Sequence, residues 1–229
     1  MKTLRYISVY VLLSLLAFNS YAGGKLPVDP SGEVVFRQSF KLHANFTEDD
    51  AYALVQQWFT SDASKFTCQA GEAPNVNSKN RALVEEAFSN PQPLQSLDPA
   101  SSRLAGRGLI KYYGGANSNI SLLYMEYYIL VEVSGNLVTA TISKMKYHHF
   151  NQRTYSPKPI YGWQGGKPFD PADKLENLVN TDNVTRETQD VGEVVSRNIN
   201  GLFSDLKGYL ENKKAIAPQP LTANSGSSD

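Results

Sequence analysis

The sequence predicts an α+β domain: an antiparallel sheet of about four to five strands with helices packed on it. Three observations carry this prediction. Apolar side chains alternate with a period of two over Glu33 to Leu42, over Arg103 to Tyr113, and on both sides of Gly135-Asn136. They recur at helical spacing over Ala51 to Phe59 and again over Val191 to Leu210. The remaining chain is punctuated by proline, glycine and serine, as connections are.

The chain opens with Lys2 and Arg5, an apolar run from Tyr6 to Phe18, and the small residues Ser20 and Ala22. This is the layout of a secretory signal peptide over residues 1–22, with cleavage expected after Ala22. The 13 residues of that run fall short of the roughly 20 that a helix needs to cross a bilayer. No other stretch is long and apolar enough to span, so no transmembrane segment is expected in the mature chain. A periplasmic or cell-surface location follows as the expectation. Removing 22 residues from 229 leaves 207, enough for one core of ordinary size.

The formal charge is zero, and it becomes −2 once Lys2 and Arg5 are removed. The other basic residues are scattered along the chain, and a nucleic-acid partner, which needs a basic stripe, is not expected. Cys68 is the only cysteine and has no activating base or cation beside it in sequence. An internal disulfide is therefore excluded, and packing must hold the fold together.

After a linker over 23–30, Glu33 to Leu42 places Val34, Phe36, Phe40 and Leu42 on one strand face and Arg37, Ser39 and Lys41 on the other. Thr47 and Asp50 then form a capping-box pattern, with Phe46 able to staple against Ala51. Ala51, Leu54, Val55, Trp58 and Phe59 make the stripe that packs on the sheet. From 61 to 102 the chain reads as a long insertion or connection within a domain over 31–150, broken by Pro74, Pro91, Pro93 and Pro99. Only Lys79 to Phe88 has a helical pattern there. Arg103 to Tyr113 returns to strand, and its Gly106 and Gly108 share one face, leaving a groove that another element can approach.

Gly135-Asn136 suits a type II′ hairpin turn, which sets Ser134 opposite Leu137, Val133 opposite Val138, Val131 opposite Ala140 and Ile129 opposite Ile142. These pairs form a continuous apolar face. Extended without interruption, the same register pairs Tyr128 with Ser143, Glu126 with Met145 and Tyr124 with Tyr147 on the second face. It also puts Lys144 on the core side opposite Tyr127, where a bulge or the edge of the core is expected. Residues 151–214 complete the domain as an aromatic segment containing Trp163, a short helix within Asp170 to Asn180, and an amphipathic helix of about five turns opening at Asp190. Residues 215–229 have the composition of a disordered tail.

The succession of a strand, a capped helix ending in Trp-Phe, a glycine-punctuated strand, a long hairpin and a C-terminal helix resembles domain-of-unknown-function family 4468 of exported bacterial proteins. The resemblance lies in Glu48 to Phe59 (EDDAYALVQQWF), Leu104 to Gly108 (LAGRG) and the hairpin Tyr128 to His149, within about half of the chain. It implies a TATA-binding-protein-like fold, with a curved antiparallel sheet and helices on one face, and a periplasmic or surface setting. It carries over no catalytic residue, and the fold name alone does not imply DNA binding.

Specific chemistries find little support in the residues. His148 and His149 are the weak metal candidates, but neighbours on a strand point to opposite faces and no carboxylate accompanies them at ligand spacing. No Gly-x-Ser-x-Gly elbow exists, and in Gly165-Gly166-Lys167 the following Pro168 stands where a phosphate-binding loop needs Ser or Thr. Glu126 and Glu132 share a face but lie about 20 Å apart, too far to act on one bond. No cofactor is called for.

The leading expectation is a non-catalytic binding module presenting Tyr124, Glu126, Tyr128, Tyr147 and Trp163 to an envelope protein, a peptide or a glycan. The alternative reading of the same face is a second core layer, covered by the C-terminal helix or by 151–171. Two other classes stay open: a hydrolase or metal-dependent enzyme sited between 151–171 and the hairpin, and a structural subunit of an envelope assembly.

Overall fold

A computed structural model describes residues 26–71, 93–114, 121–150, 173–179 and 186–213. The expected signal peptide, the helical pattern at Lys79 to Phe88, Trp163 and the tail lie outside the described residues. Seven strands form one sheet: β1 (Phe36–Lys41), β2 (Thr67–Ala70), β3 (Leu94–Asp98), β4 (Arg103–Gly114), β5 (Ser121–Ser134), β6 (Leu137–Phe150) and β7 (Asp173–Lys174). Among the described residues three α-helices accompany them: α1 (Glu48–Ser61), α2 (Leu175–Val179) and α3 (Arg186–Lys213). The strand order is β1-β6-β5-β4-β2, with β3 also on β4 and β7 also on β6. The sheet is curled into a half-barrel and mixed, because β2 runs parallel to β4 while every other pairing is antiparallel.

The α+β class holds, and the differences from expectation have local causes. The segment 61–102 is more than a connection: it supplies β2 and β3, two short strands on the same edge of β4. Residues 26–30 do not behave as a linker, since Leu26 is buried in the core and Val28 bridges Val34. α3 begins at Arg186, about a turn before Asp190, and runs 28 residues.

The hairpin turn follows the sequence. Gly135 has φ +56 and Asn136 is not at positive φ, the pattern of a type II′ rather than a type I′ turn. The paired residues from Ser134↔Leu137 to Tyr128↔Ser143 follow the expected register. One face of the sheet therefore carries Ile129, Val131, Val133, Val138, Ala140 and Ile142, all buried. α1 covers this face with Ala51, Val55, Trp58 and Phe59. α3 adds Val191, Val195, Ile199, Leu202, Phe203, Leu206 and Leu210 to the same cluster. Burying each large side chain of this stripe contributes about 1.5–3 kcal/mol, which is why the described helices pack on this side.

The glycines of β4 act as anticipated. A Cβ on Gly106 would lie 2.1 Å from the Pro93 carbonyl oxygen and 2.8 Å from Phe59 Cε1, so β3's approach and α1's end both use that vacancy. Opposite Gly108, the ring of Tyr127 lies across the strand and its hydroxyl donates to the Phe66 carbonyl at 3.2 Å. Burial pushes the Tyr127 phenol far above its ordinary pKa, so it remains a donor.

The capping box at Thr47 and Asp50 forms as read. Beside it, Glu48 in the first turn of α1 accepts the backbone N–H of Gly135 at 2.8 Å and the Ser102 hydroxyl, tying the helix start to the hairpin turn. The Gly135 N–H, then the Ser102 hydroxyl, hold the Glu48 carboxyl below its ordinary pKa. A lowered folded-state pKa means the unfolded chain binds more protons, so the contribution is present above the ordinary carboxylate pKa and is lost as pH falls through the folded value. The stability difference between wild type and Glu48→Gln is expected to shrink as pH is lowered from 7 to below 4 in urea titrations; a constant difference would contradict this assignment.

Candidate binding surface

The geometry of the outer sheet face is set by one residue. At Lys144 the backbone takes φ +54, rare for a residue with a Cβ, and its N–H leaves the ladder to donate to Glu33 Oε1 at 2.8 Å. The register shifts between Glu126 and Tyr128, so β6 spends Lys144 and Met145 where β5 spends Tyr127 alone. The bulge stands where the sequence places it. Its consequence is a one-residue change of phase, which corrects the pairing beyond it: Glu126 faces Lys146 rather than Met145, Tyr124 faces His148 rather than Tyr147, and Tyr147 faces Met125.

Tyr147 thus leaves the expected tyrosine cluster and packs against the core. Tyr124 remains on the outer face but is buried, as are Leu109 and Ala105 on neighbouring rows of β4. None of these three belongs to the cluster under the helices, and α3 lies against the opposite face, so the C-terminal helix is not what buries them. Tyr128 and Glu126 are half-buried. The Lys144 ammonium sits 5.2 Å from the Tyr128 ring centroid, a cation–π contact across the bulge. Of the five residues expected on this surface, Glu126 and Tyr128 are partly accessible there.

Sequence reasoning missed the charge of the face. Directly opposed residues share a side of the sheet, so the register can be followed from strand to strand. Arg37 and Lys41 of β1, Arg103, Arg107 and Lys111 of β4, Lys144 and Lys146 of β6, and Lys174 of β7 all fall on the outer face. Against these eight cations stand three carboxylates among the described residues, Asp98, Glu126 and Glu132. Glu132 is held between Arg103 at 2.9 Å and Arg37 at 3.9 Å, exposed contacts that add little stability. The bases that look scattered along the chain are gathered by folding. Their signal was available in part: Arg103, Arg107 and Lys111 recur every fourth residue of a strand, which puts them on one side about 13 Å apart.

The histidine pair behaves as its strand setting requires. β6 continues through both residues, with His148 opposite Tyr124 and His149 opposite Leu123, so the two occupy positions on opposite faces. Among the described residues no group of three His, Cys, Asp or Glu side chains could hold a metal ion. Cys68 faces the core side of β2 opposite Ile110, and burial pushes its thiol above the ordinary pKa, the reverse of an activated nucleophile.

No family model matches the sequence, and no curated protein matches it. Among solved structures, the chain is similar to a DUF4468 family protein from Bacteroides ovatus ATCC 8483, at 14% identity and a TM-score of 0.51, covering 83% of this chain and 92% of that one. A TBP-like protein from Parabacteroides distasonis ATCC 8503 superposes with a TM-score of 0.44 at 11% identity, over 81% of this chain and 97% of that one. The first likeness is one of fold, and it agrees with the architecture that the resemblance of the sequence implies: a curved sheet with helices on one face.

Proposed function

We propose that the mature chain is an exported, non-catalytic binding module that engages an acidic glycan of the cell envelope on the outer face of its sheet. The observation that carries this reading is the imbalance of eight cations to three carboxylates on a face not covered by the described helices. Seven of the eight cationic residues are exposed. Such a field concentrates an anionic partner and orients its approach. Export rests on the signal-peptide layout of residues 1–22. A glycan suits the face better than a bilayer: the large exposed hydrophobics among the described residues are Val28, Leu97 and Leu137, too few and too dispersed to form an inserting wedge.

The test is retention on immobilised chondroitin sulfate against neutral dextran, eluted with sodium chloride. Wild type is expected to bind only the acidic matrix, and Arg37→Glu with Arg107→Glu is expected to weaken binding about tenfold at low salt. Equal retention on both matrices, or an unchanged double variant, would overturn the reading. Stronger retention on duplex DNA than on chondroitin sulfate would overturn the choice of glycan.

A further inference from the structure

β6 has two partners along its free edge, and they leave a gap. β1 pairs with Leu137 to Ile142 and β7 with Lys146 and Tyr147, so Ser143 to Met145 lie between them. A cleft of about 520 Å³ opens at this gap. Its walls are the bulge of β6, the turn Ser31 to Glu33, Lys174 of β7, and Glu176 and Asn177 at the start of α2. The turn is held by the Asp29 carboxylate, which accepts the N–H groups of Ser31 at 2.9 Å and Glu33 at 3.1 Å.

Three lysines are among the residues that line the cleft: Lys144, whose ammonium also reaches the Tyr128 ring, Lys146 and Lys174. Lys146 and Lys174 are directly opposed across the β6–β7 pair, an arrangement of like charges that works against folding. Lys144 is presented from a backbone conformation unfavourable for a residue with a Cβ. Glu126, opposed to Lys146 across the β5–β6 pair, offsets part of this charge, and the two carboxylates at the cleft itself are turned to backbone donors. Glu33 accepts the Lys144 N–H and Glu176 the Val34 N–H, and no ion pair joins either to the three lysines among the described residues.

We propose that this cleft binds a phosphate monoester, whose dianion offsets the Lys146–Lys174 repulsion. An ammonium is a compact point charge that suits a tetrahedral, doubly charged oxyanion, whereas a planar carboxylate is matched by the guanidinium fork, and among the described residues no arginine lines the cleft. The volume leaves room for a body the size of a sugar beyond the phosphate. The inference rests on the reading of the outer face as anion-binding and adds a discrete subsite at its rim.

The test uses the full mature chain and two probes carrying the same chemistry: glucose 6-phosphate in solution, and phosphatidylcholine vesicles containing phosphatidic acid. Glucose and sodium chloride at matched ionic strength serve as controls. Glucose 6-phosphate is expected to raise the melting temperature where the controls do not, and Lys146→Ala with Lys174→Ala to weaken its binding by about tenfold or more. Without phosphate, the same double variant should melt higher than wild type, because the opposed charges are gone. This second readout keeps the result interpretable, since a misfolded variant would melt lower. Binding to the vesicles alone would assign the ester to a lipid headgroup. A phosphate effect equal in wild type and variant, or none with either probe, would overturn the subsite. Arg37→Glu with Arg107→Glu lies outside the cleft and is expected to leave the glucose 6-phosphate effect intact while reducing retention on chondroitin sulfate. Failure of the subsite and failure of the wider surface are thereby separated.

Discussion

Gly108→Ala is expected to destabilise the protein by about 3 kcal/mol, at the upper end of what overpacking a core costs. The added Cβ would lie 2.0 Å from Cζ and 2.1 Å from the hydroxyl oxygen of Tyr127, far inside van der Waals contact. The tip of a tyrosine can often swing aside, but this one is 3% exposed and its hydroxyl is spent on the Phe66 carbonyl. Moving the ring would break that bond and push it into neighbours packed as densely as a crystal. The alternative is to lift β4 from β5, against the central pairing of the sheet. Urea titration checks the magnitude, and a double-mutant cycle checks the cause: Tyr127→Ala should cost several kcal/mol alone, but Gly108→Ala added to it should cost less than about 1 kcal/mol. Additive losses would show that the glycine is needed for another reason.

That glycine was legible in the sequence, and the contrast with what was not is instructive. Gly106 and Gly108 alternate within a strand pattern, so they had to share a face and leave it low; that Tyr127 fills the space is set by the β4–β5 pairing, which lies outside the hairpin register. Gly135-Asn136 fixed that register over seven pairs because a two-residue turn leaves no freedom in it. Legibility stopped at Lys144. The clash of a lysine with the core side announced a bulge, but an uninterrupted register was carried past it, and one extra residue moved Tyr147 from the outer face to the core. β2 and β3 escaped for another reason. Thr67 to Ala70 and Leu94 to Asp98 are short edge strands with little alternation, and β4, which lies beyond them in sequence, is what makes them strands. The candidate surface was half legible. Tyr124, Glu126 and Tyr128 share the face as read, whereas its charge depends on cross-strand neighbours, such as Lys174 beside Lys146, that no local pattern joins.

Trp58→Ala is expected to be the other large loss, about 3–5 kcal/mol by the usual cost of deleting a buried ring, and Trp58→Phe should separate its parts. Trp58 is fully buried and meets Phe59 and Phe66 edge-on, with ring centroids 5.0 and 5.1 Å away. Its indole N–H donates to Asp205 of α3 at 2.6 Å, which locks α1 to α3 across the helix layer. Lys65 completes the cluster, its ammonium 4.5 Å from the indole centroid and 3.7 Å from the same Asp205 oxygen. Burial, the largest influence, pulls the Lys65 pKa below its ordinary value, and the Asp205 charge opposes that shift. Alanine at 58 therefore removes more than a ring: it leaves a cavity beside Phe59 and Phe66 and takes from the partly buried ammonium the nearest of its aromatic neighbours. Phenylalanine keeps most of the packing and gives up the N–H. Because the Asp205 side chain is 54% exposed, water can replace that donor, and the cost should be only about 1–2 kcal/mol. A graded series, with alanine losing at least twice what phenylalanine loses in urea titration, would establish packing as the dominant contribution. Equal losses would move the weight to the single hydrogen bond, and α3 would then be held chiefly by a polar contact at the edge of the core.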